Sequence, residues 1–403
     1  MLDLTIVGGG IQGTAIARAL TAAKAIEPDR LAILDPEEEP LSNWLRLTSA
    51  CGMSFLRSPS SHNLDIDFRA LRRFALGRGY DPAAHFRPPY LRPSLALFND
   101  HSHRIASSPE IAGARLRGRL LSLAPGRGWR LETDRGLLRS KLVLFAVGRT
   151  GGPAYPTWRT TGATIEHVFS PGFRRPGTGP GIRRIAVIGG GVTAGQLMLS
   201  LAEEHPSSVE LVMISGGPLQ VHQFDSEPCY LGPRCLESFL RVPDPEKRRR
   251  IIREVRHPGS MPPDIAASLE ELVREKRLEV VPEWVVGVRE GAREKTLSLA
   301  SGREVPASRV ILATGLDPGP PAHEILQPLI RDHRLPTTAD GYPIPDPTLQ
   351  WAPGLVLTGP LGETEIGPGA PNIIGAHLAV RRIIPFLRSE PGVAWRPVRI
   401  ATS

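Results

Sequence analysis

A chain of 403 residues with 41% hydrophobic and 22% charged side chains is long enough for two domains with their own cores, and its composition excludes wholesale disorder. The net charge of +8 comes almost entirely from arginines that are scattered rather than gathered into a basic block with interleaved aromatics, so we expect no nucleic-acid partner. No apolar run approaches the length of a membrane span and no secretory leader pattern opens the sequence, so we expect a cytoplasmic protein with no membrane association.

The opening of the chain carries the pattern of a dinucleotide-binding turn. An apolar run leads into Gly8, Gly10 and Gly13 with the spacing G-x-G-x-x-G, and a helix of small residues follows. The first glycine lets the backbone turn, the second admits a diphosphate, and the third allows the helix to pack closely on the strand. The next predicted strand ends at Asp35, whose carboxylate can hold a ribose hydroxyl. The alternative is a glycine turn in an α/β domain that binds no nucleotide.

A second turn of the same kind lies in the middle of the chain. A predicted strand runs into Gly189 and Gly191, with Ala194 in the third position. Two such turns predict two dinucleotides, and we assign the one near residue 1 to FAD and the internal one to a nicotinamide nucleotide that delivers hydride to the flavin. The following strand ends at Ser215 without a carboxylate. Because a carboxylate there would repel a 2′-phosphate, the sequence favours NADPH over NADH.

Between the two turns lies an insertion, residues 41–112, in which Gly, Pro, Ser and His are frequent and apolar residues alternate little. Helical periodicity occurs in pieces such as residues 66–76. We expect this insertion to lie over the flavin rather than to form a separate domain. His62, His101 and His103 fall within it, but two ligands two residues apart make no metal site without a third, so we expect no bound metal.

The domain organisation follows from an internal repeat. Two apolar strands, at residues 143–148 and 310–315, end in the same Ala-x-Gly pattern. The repeat predicts an α/β fold with two Rossmann-like domains, in which an NAD(P)H domain (182–315) is inserted into an FAD domain (1–160 and 316–403). The remaining predicted elements are strands at 120–123 and 129–133, a linker at 173–181, and helices at 245–256 and 265–276.

The C-terminal part of the FAD domain is predicted to face the flavin ring. A strand at 354–359 ends at Gly359, and a loop containing Gly369 leads to a helix that begins at Asn372 and ends near residue 387. Backbone donors at a helix start would stabilise the negative charge that develops on the reduced flavin. The alternative is a strand, loop and helix that only close the sheet.

The cysteines bear on the class of flavoprotein. Cys51, Cys229 and Cys235 include no C-x-x-C pair, and the five residues between the last two are not the usual spacing of a redox-active pair. We therefore expect reduced thiols, with a redox pair at Cys229 and Cys235 as the alternative.

Two charged clusters allow more than one interpretation. Asp225 and Glu227, near Arg234, can meet a cationic substrate or belong to a solvated loop. The run Lys-Arg-Arg-Arg at 247–250 can reach a 2′-phosphate, but a solvated helix face is the favoured interpretation.

With two dinucleotide folds, two Ala-x-Gly strand ends and no C-x-x-C pair, the sequence resembles class B flavin monooxygenases. Within them it is similar to the lysine and ornithine N-hydroxylases of siderophore synthesis. The local points of similarity are Trp44 followed by Met-Ser-Phe-Leu-Arg at 53–57, which is similar to the family's W-H and S-F-L-K stretch, and the segments 185–194, 313–315 and 378–381. The resemblance implies that Trp44 lies near the flavin.

The resemblance also implies a reaction. NADPH would reduce FAD, dioxygen would add to the flavin as a C4a-hydroperoxyflavin, and one oxygen atom would pass to an amine nitrogen of a small substrate. No catalytic side chain is then needed as a nucleophile, and we find no Ser-His-Asp or Cys-His constellation. Arg57 takes the place of the family's lysine that meets the substrate carboxylate, and its guanidinium suits that task.

The sequence departs from the family where the substrate is recognised. The family's N-E-x-F stretch falls near residues 227–230, where Glu227 is retained as a candidate substrate residue but the asparagine is absent, and its T-N-Y-S stretch falls near 259–262. The substrate therefore cannot be read from the motifs. Two rival functions remain: an NAD(P)H-dependent flavin oxidoreductase or oxidase that hydroxylates nothing, and a non-catalytic flavoprotein that senses nucleotides. The oligomeric state also stays open.

Overall fold

Two mostly parallel β-sheets flanked by helices organise the protein, which the computed structural model describes over residues 1–149, 151–159, 165–179, 181–291 and 294–389. The strands in these ranges are β1 (Leu2–Val7), β2 (Leu31–Asp35), β3 (Phe86–Arg87), β4 (Arg92–Pro93), β5 (Arg115–Arg117), β6 (Leu120–Gly126), β7 (Gly128–Thr133), β8 (Gly136–Phe145), β9 (Glu166–His167), β10 (Arg184–Ile188), β11 (Glu210–Ile214), β12 (Gln220–Val221), β13 (Ser260–Met261), β14 (Leu278–Val281), β15 (Val285–Glu290), β16 (Lys295–Leu299), β17 (Glu304–Ala307), β18 (Arg309–Leu312), β19 (Gln350–Ala352) and β20 (Leu355–Leu357). The helices are α1 (Ile11–Ala22), α2 (Ser42–Ala50), α3 (Ala70–Gly77), α4 (Pro82–His85), α5 (Leu95–Ala106), α6 (Pro109–Ala114), α7 (Val192–Glu204), α8 (Pro233–Leu240), α9 (Pro245–Glu254), α10 (Pro263–Arg274), α11 (His323–His333), α12 (Glu363–Ile366) and α13 (Ile373–Ser389), with short 3-10 turns at Pro28–Arg30, Pro228–Leu231 and Gly359–Gly362.

The first sheet has the order β19-β20-β8-β1-β2-β5, with the β6–β7 hairpin attached to β8. Strand β1 lies at its centre and runs parallel to β2 and β8, so that Ile6 pairs with Ile33 on one side and Leu144 on the other. Helices α1 and α13 cover one face of this sheet and α11 covers the other. Because the strand is covered on both faces, its last four residues, from Leu4 to Val7, are all buried, including the polar Thr5.

The second sheet has the order β14-β11-β10-β18-β9 and repeats the arrangement of the first. Val187 on the central strand β10 pairs with Met213 and with Ile311, and all three side chains are buried. The predicted fold class, two Rossmann-like domains with the second inserted into the first, agrees with this topology. Strand β9 also pairs with β18, so the second sheet takes a strand from before residue 182. In the described ranges, no helix combines the length and the apolarity that crossing a bilayer requires.

The helix predicted at 66–76 begins later, at Ala70. The residues before it form a chain of side-chain turns: the backbone N–H of Asp65 donates to Asn63, that of Asp67 donates to Asp65, and that of Arg69 donates to Asp67. Short polar side chains that accept bonds from the backbone two residues ahead compete with helical hydrogen bonds. The apolar spacing alone therefore placed the helix start too early.

The prediction of reduced thiols is wrong for two of the three cysteines. Cys229 and Cys235 form a disulfide, with their Cα atoms 5.2 Å apart. The bridge forms because the 3-10 turn Pro228–Leu231 leads directly into α8, and this folds the six-residue separation back on itself. Cys51 is a free, buried thiol, and burial raises its pKa to about 11.

The prediction of a solvated face at 247–250 is wrong for its two central arginines. Arg248 and Arg249 are buried in α9 and pair with Glu365 and Glu363 of α12, while Asp340 contacts Arg249 from another loop. Buried charges need such partners, because desolvation is otherwise costly. The ion pairs join α9 to the segment between β20 and α13, so they fix the C-terminal part of the first domain against the second.

Candidate functional site

In the first glycine turn, two glycines lie in close contact with backbone atoms of the first domain, and the third borders open space. Gly8 has φ +103°, and a Cβ atom there would lie 2.6 Å from the carbonyl oxygen of Ala146. A Cβ on Gly13 would lie 1.8 Å from the carbonyl oxygen of Gly8, so the helix can approach the strand only without a side chain at this position. A Cβ on Gly10, by contrast, would meet no heavy atom of the described residues within 4 Å. The residues therefore fit a dinucleotide, because the turn leaves room for a diphosphate at the helix start.

Asp35 stands at the carboxyl end of β2, beside this turn. Its two carboxylate oxygens accept hydrogen bonds from the backbone N–H of Gly9, at 2.6 Å, and of Glu37, at 2.9 Å. The carboxylate lines a cavity of about 850 Å³ at the carboxyl ends of β1, β2 and β8. Each oxygen keeps lone pairs for a further donor, which is the arrangement that a ribose hydroxyl requires.

Gln12, which the sequence analysis did not single out, connects the first glycine turn to the start of α13. The side-chain amide of Gln12 donates to the carbonyl oxygens of Ala370 and Asn372, each at 2.8 Å. Gly359, with φ +61°, lies against the same amide. Gly359 and Asn372 therefore both contact the Gln12 side chain beyond the carboxyl end of β1. The only sequence signal was a long polar side chain inside a turn of small residues.

Trp44 is directed into the insertion. Its indole N–H donates to the side-chain oxygen of Asn99 at 2.8 Å, and its ring packs on Phe98 with 5.4 Å between centroids. The preceding residue, Asn43, lines the cavity beside Asp35. The cofactor role implied for Trp44 by the resemblance stays a prediction.

The second glycine turn repeats the close contact of the first but is partly covered. Gly189 has φ +150°, and a Cβ there would lie 2.4 Å from the carbonyl oxygen of Ala313. Ala194 is fully buried, as the third position of the motif requires. A Cβ on Gly191 would lie 3.2 Å from the Cα atom of Gly259, so the loop before β13 lies over this turn. The space at the start of α7 is therefore bordered by Gly259.

The carboxyl end of β11 carries an exposed indole that sequence reasoning also missed. The hydroxyl of Ser215 donates to the carbonyl oxygen of Gly217 at 2.6 Å. The Trp284 side chain lies over Gly216, where a Cβ atom would be 3.1 Å from the ring. Trp284 is nevertheless 70% exposed, which is unusual for so large an apolar side chain. The ring offers a flat surface for stacking next to the position predicted for the nucleotide ribose.

Arg57 joins the insertion to the second domain. Its guanidinium donates to the carbonyl oxygens of Gln223, at 2.9 Å, and His222, at 2.7 Å, and to the hydroxyl of Ser260, at 2.9 Å. Burial lowers the pKa of Arg57. These acceptors occupy its Nε and Nη2 atoms, so Arg57 holds the β12–β13 segment directly. The carboxylate-binding role implied for it stays a prediction.

Asp225, two residues before Glu227, contacts Asn372 at the start of α13. The side-chain amide of Asn372 donates to Asp225 at 3.0 Å, and the Glu227 carboxylate lies 3.2 Å from the Nε2 atom of His257. The ring of His222 stacks on that of His257 at 3.7 Å. Gly369 lies beside them, because a Cβ there would be 3.2 Å from Leu231 in the turn that follows Glu227. The predicted substrate residue Glu227 and the predicted flavin-facing loop thus share one region.

The fold and the two turns define a protein with two Rossmann-like domains, one inserted into the other. No protein-family model and no curated protein matches the sequence. Among solved structures, the chain is similar to the ornithine N-hydroxylase of Kutzneria sp. 744, with a TM-score of 0.76 and 16% identity over 96% of this chain and 99% of that chain. The L-lysine 6-monooxygenase of Pseudomonas syringae gives a TM-score of 0.70 and 19% identity over 96% and 99% of the two chains. The cadaverine monooxygenase of Erwinia amylovora, bound to FAD, gives a TM-score of 0.71 and 13% identity over 100% and 98%.

These similarities establish the fold. The three identities are 19% or lower, while the shared architecture covers nearly the whole of each chain. The prediction of two Rossmann-like domains, including the insertion of one into the other, is therefore confirmed. The three structures are named as an ornithine N-hydroxylase, an L-lysine 6-monooxygenase and a cadaverine monooxygenase.

Proposed function

We propose that the protein is an FAD-dependent, NADPH-using monooxygenase that hydroxylates a small molecule at an amine nitrogen. The observation that carries the proposal is the geometry of the first glycine turn. Gly8 and Gly13 lie in close contact with backbone oxygens, whereas a Cβ atom on Gly10 would meet no atom of the described residues within 4 Å. The similarity to the ornithine, lysine and cadaverine enzymes supports the reaction class. The Kutzneria enzyme was solved with reduced FAD, NADP⁺ and L-ornithine, the three kinds of ligand that the proposal requires.

In this proposal the residues of the first domain hold FAD, which supplies the electron-transfer and dioxygen chemistry when bound. The turn from Gly8 to Gly13 receives the diphosphate, and Asp35 holds the adenosine ribose. The backbone donors around Gly369 and Asn372, at the start of α13, stabilise negative charge on the flavin ring. Trp44 and Gly359 complete this predicted set.

The second domain holds the nicotinamide nucleotide. Gly189, Gly191 and Ala194 form the turn for its diphosphate, and Ser215 stands where a carboxylate would have selected against a 2′-phosphate. NADPH is therefore favoured over NADH. Trp284 adds a stacking surface for the adenine.

The substrate would bind near the loop that follows β12, where Asn372 of the first domain contacts Asp225 of the second. The carboxylates of Asp225 and Glu227 attract an ammonium group, and Arg57 holds the adjoining β12–β13 segment in place. The protein's remaining task is to align substrate and cofactors and to keep water away from them. Dioxygen and a small amine are the only partners that the proposal needs.

The deciding experiment reconstitutes the purified protein with FAD. Anaerobic NADPH should bleach the flavin absorbance, and aerobic incubation with a panel of amines and amino acids should yield a product heavier by one oxygen atom. NADPH consumption with hydrogen peroxide but no oxygenated product would instead establish a flavin oxidase. Bound FAD that NADPH never bleaches would establish a nucleotide-sensing flavoprotein.

A cytoplasmic location is also part of the proposal. The bridge between Cys229 and Cys235 bears on it, because disulfides are uncommon in the reducing cytosol. Alkylation of free thiols in intact cells, followed by lysis and fractionation, would show both where the protein resides and whether the bridge exists there.

A further inference from the structure

The side chain of Gln12 connects segments that are far apart in sequence. It is buried, with 9% of its surface exposed, and it lies between the second and third glycines of the first turn. Both hydrogens of its amide are used, because Nε2 donates to the carbonyl oxygens of Ala370 and Asn372 at 2.8 Å each. These carbonyls belong to the turn before α13. Gln12 therefore fixes the start of the last helix against the glycine turn.

The amide oxygen of Gln12 has no such partner. Because the two donated bonds set the orientation of the amide, the position of Oε1 is set as well. Oε1 is buried, and no donor among the described residues bonds to it. A Cβ at Gly359 would lie 2.9 Å from this oxygen, so the lack of a side chain at Gly359 keeps the space beside it clear. Buried acceptors are rarely left unpaired, which points to a donor that is not part of the chain.

The location of this oxygen limits what the donor can be. Gln12 lies on the turn proposed to hold the FAD diphosphate, and Asp35 marks the adenosine side of that turn. Gln12 and Gly359 lie toward α13, which is the flavin side. The ribityl chain is attached directly to the diphosphate on the flavin side and carries hydroxyl donors, whereas the phosphates themselves carry none.

We propose that Gln12 is a positioning residue for the flavin cofactor: its Nε2 holds the start of α13, and its Oε1 accepts a hydrogen bond from a ribityl hydroxyl of FAD. This inference rests on the proposed function, because it requires that the first turn bind FAD. Gln12 donates no proton and contacts no substrate in this role. It sets the distance between the diphosphate and the helix start that faces the flavin ring.

The test compares Gln12→Met with Gln196→Met, which removes another buried glutamine amide from the equivalent helix of the second domain. Apoprotein is titrated with FAD and with FAD analogues lacking individual ribityl hydroxyls, and flavin fluorescence reports Kd. We expect Gln12→Met to weaken FAD binding about tenfold. One of the analogues should bind the wild type about tenfold more weakly than FAD, with little further loss in Gln12→Met. Gln196→Met should leave Kd for FAD unchanged.

The outcomes separate this inference from the proposed function. A wild-type protein that binds no FAD contradicts the proposed function itself. A wild type that binds FAD and every deoxyribityl analogue equally overturns the role of Oε1, and this measurement does not depend on the folding of a variant. Equal loss of affinity for FAD and all analogues on Gln12→Met would also overturn it. A drop in the apoprotein melting temperature alone would leave Gln12 as a structural contact and refute the cofactor contact.

Discussion

The buried carboxylate of Glu363 should be one of the largest single contributors to the stability of the interface between the two domains. Its side chain is 1% exposed and bonds to Arg249, which is 5% exposed, and to Arg256, which is 20% exposed. Glu363→Gln keeps the shape of the side chain but removes the charge that both guanidiniums face. Removing one partner of a buried ion pair costs about 3–5 kcal/mol. Because Asp340 still pairs with Arg249, we expect the lower end, about 3 kcal/mol.

The assay is chemical denaturation of the apoprotein, followed by tryptophan fluorescence, with the free energy of unfolding extrapolated to zero denaturant. Glu304→Gln is the matched control, since Glu304 also pairs with an arginine, Arg289, but both side chains are at least half exposed. The control should change the free energy of unfolding little. If the two variants lose the same free energy, or if Glu363→Gln loses less than about 1 kcal/mol, the ion pairs of α9 and α12 do not hold the domains together.

Four further predictions follow from the site and the core. Trp284→Ala should raise the KM for NADPH roughly tenfold through lost stacking while leaving Kd for FAD unchanged; an unchanged KM would remove the indole from the nucleotide site. Thiol titration of the unfolded protein should find one free thiol before reduction and three after it, whereas three before reduction would show that Cys229 and Cys235 are unpaired. Burial lowers the pKa of His101 from its ordinary 6.5 to about 4, so its contribution to stability is complete above pH 6.5 and is lost as the pH falls toward 4. Denaturation at several pH values should therefore show a weaker acid dependence in His101→Phe, and an unchanged dependence would refute this. Arg57→Ala should raise the substrate KM far more than it slows flavin reduction, and equal losses would exclude Arg57 from the substrate region.

The architecture could be predicted because it depends on steric requirements among residues that lie close together in the sequence. Only glycine fits at Gly13, where a Cβ would meet a backbone oxygen at 1.8 Å, so the motif implies the strand, turn and helix around it. The predicted helix start at residue 66 is wrong for an equally local reason. Asn63, Asp65 and Asp67 accept backbone bonds that periodicity of apolar residues does not register. Local chemistry had to be combined with spacing to place that helix start.

The parts of the site that sequence reasoning missed depend on contacts between distant residues. The sequence predicts a solvated Arg249 because its buried partner, Glu363, lies 114 positions away and on another domain. The role of Gln12 cannot be predicted for the same reason, since the carbonyl oxygens to which it donates are 358 and 360 positions away. Charge and polarity are visible in a sequence, but whether a polar group is buried and paired depends on the fold.

The segment between β20 and α13 is held from three directions, and this arrangement bears on how the two cofactors would be coupled. Gln12 holds it from the first glycine turn, Asp225 holds Asn372 from the loop near the substrate residues, and Arg249 and Arg256 hold Glu363 from the inserted domain. The helix start proposed to face the flavin ring is therefore positioned by residues of both domains. A rotation of the inserted domain would have to break ion pairs that are almost fully buried, which makes a rigid arrangement the one of lower free energy. In the proposed function, hydride transfer would then take place between two domains that keep one relative position.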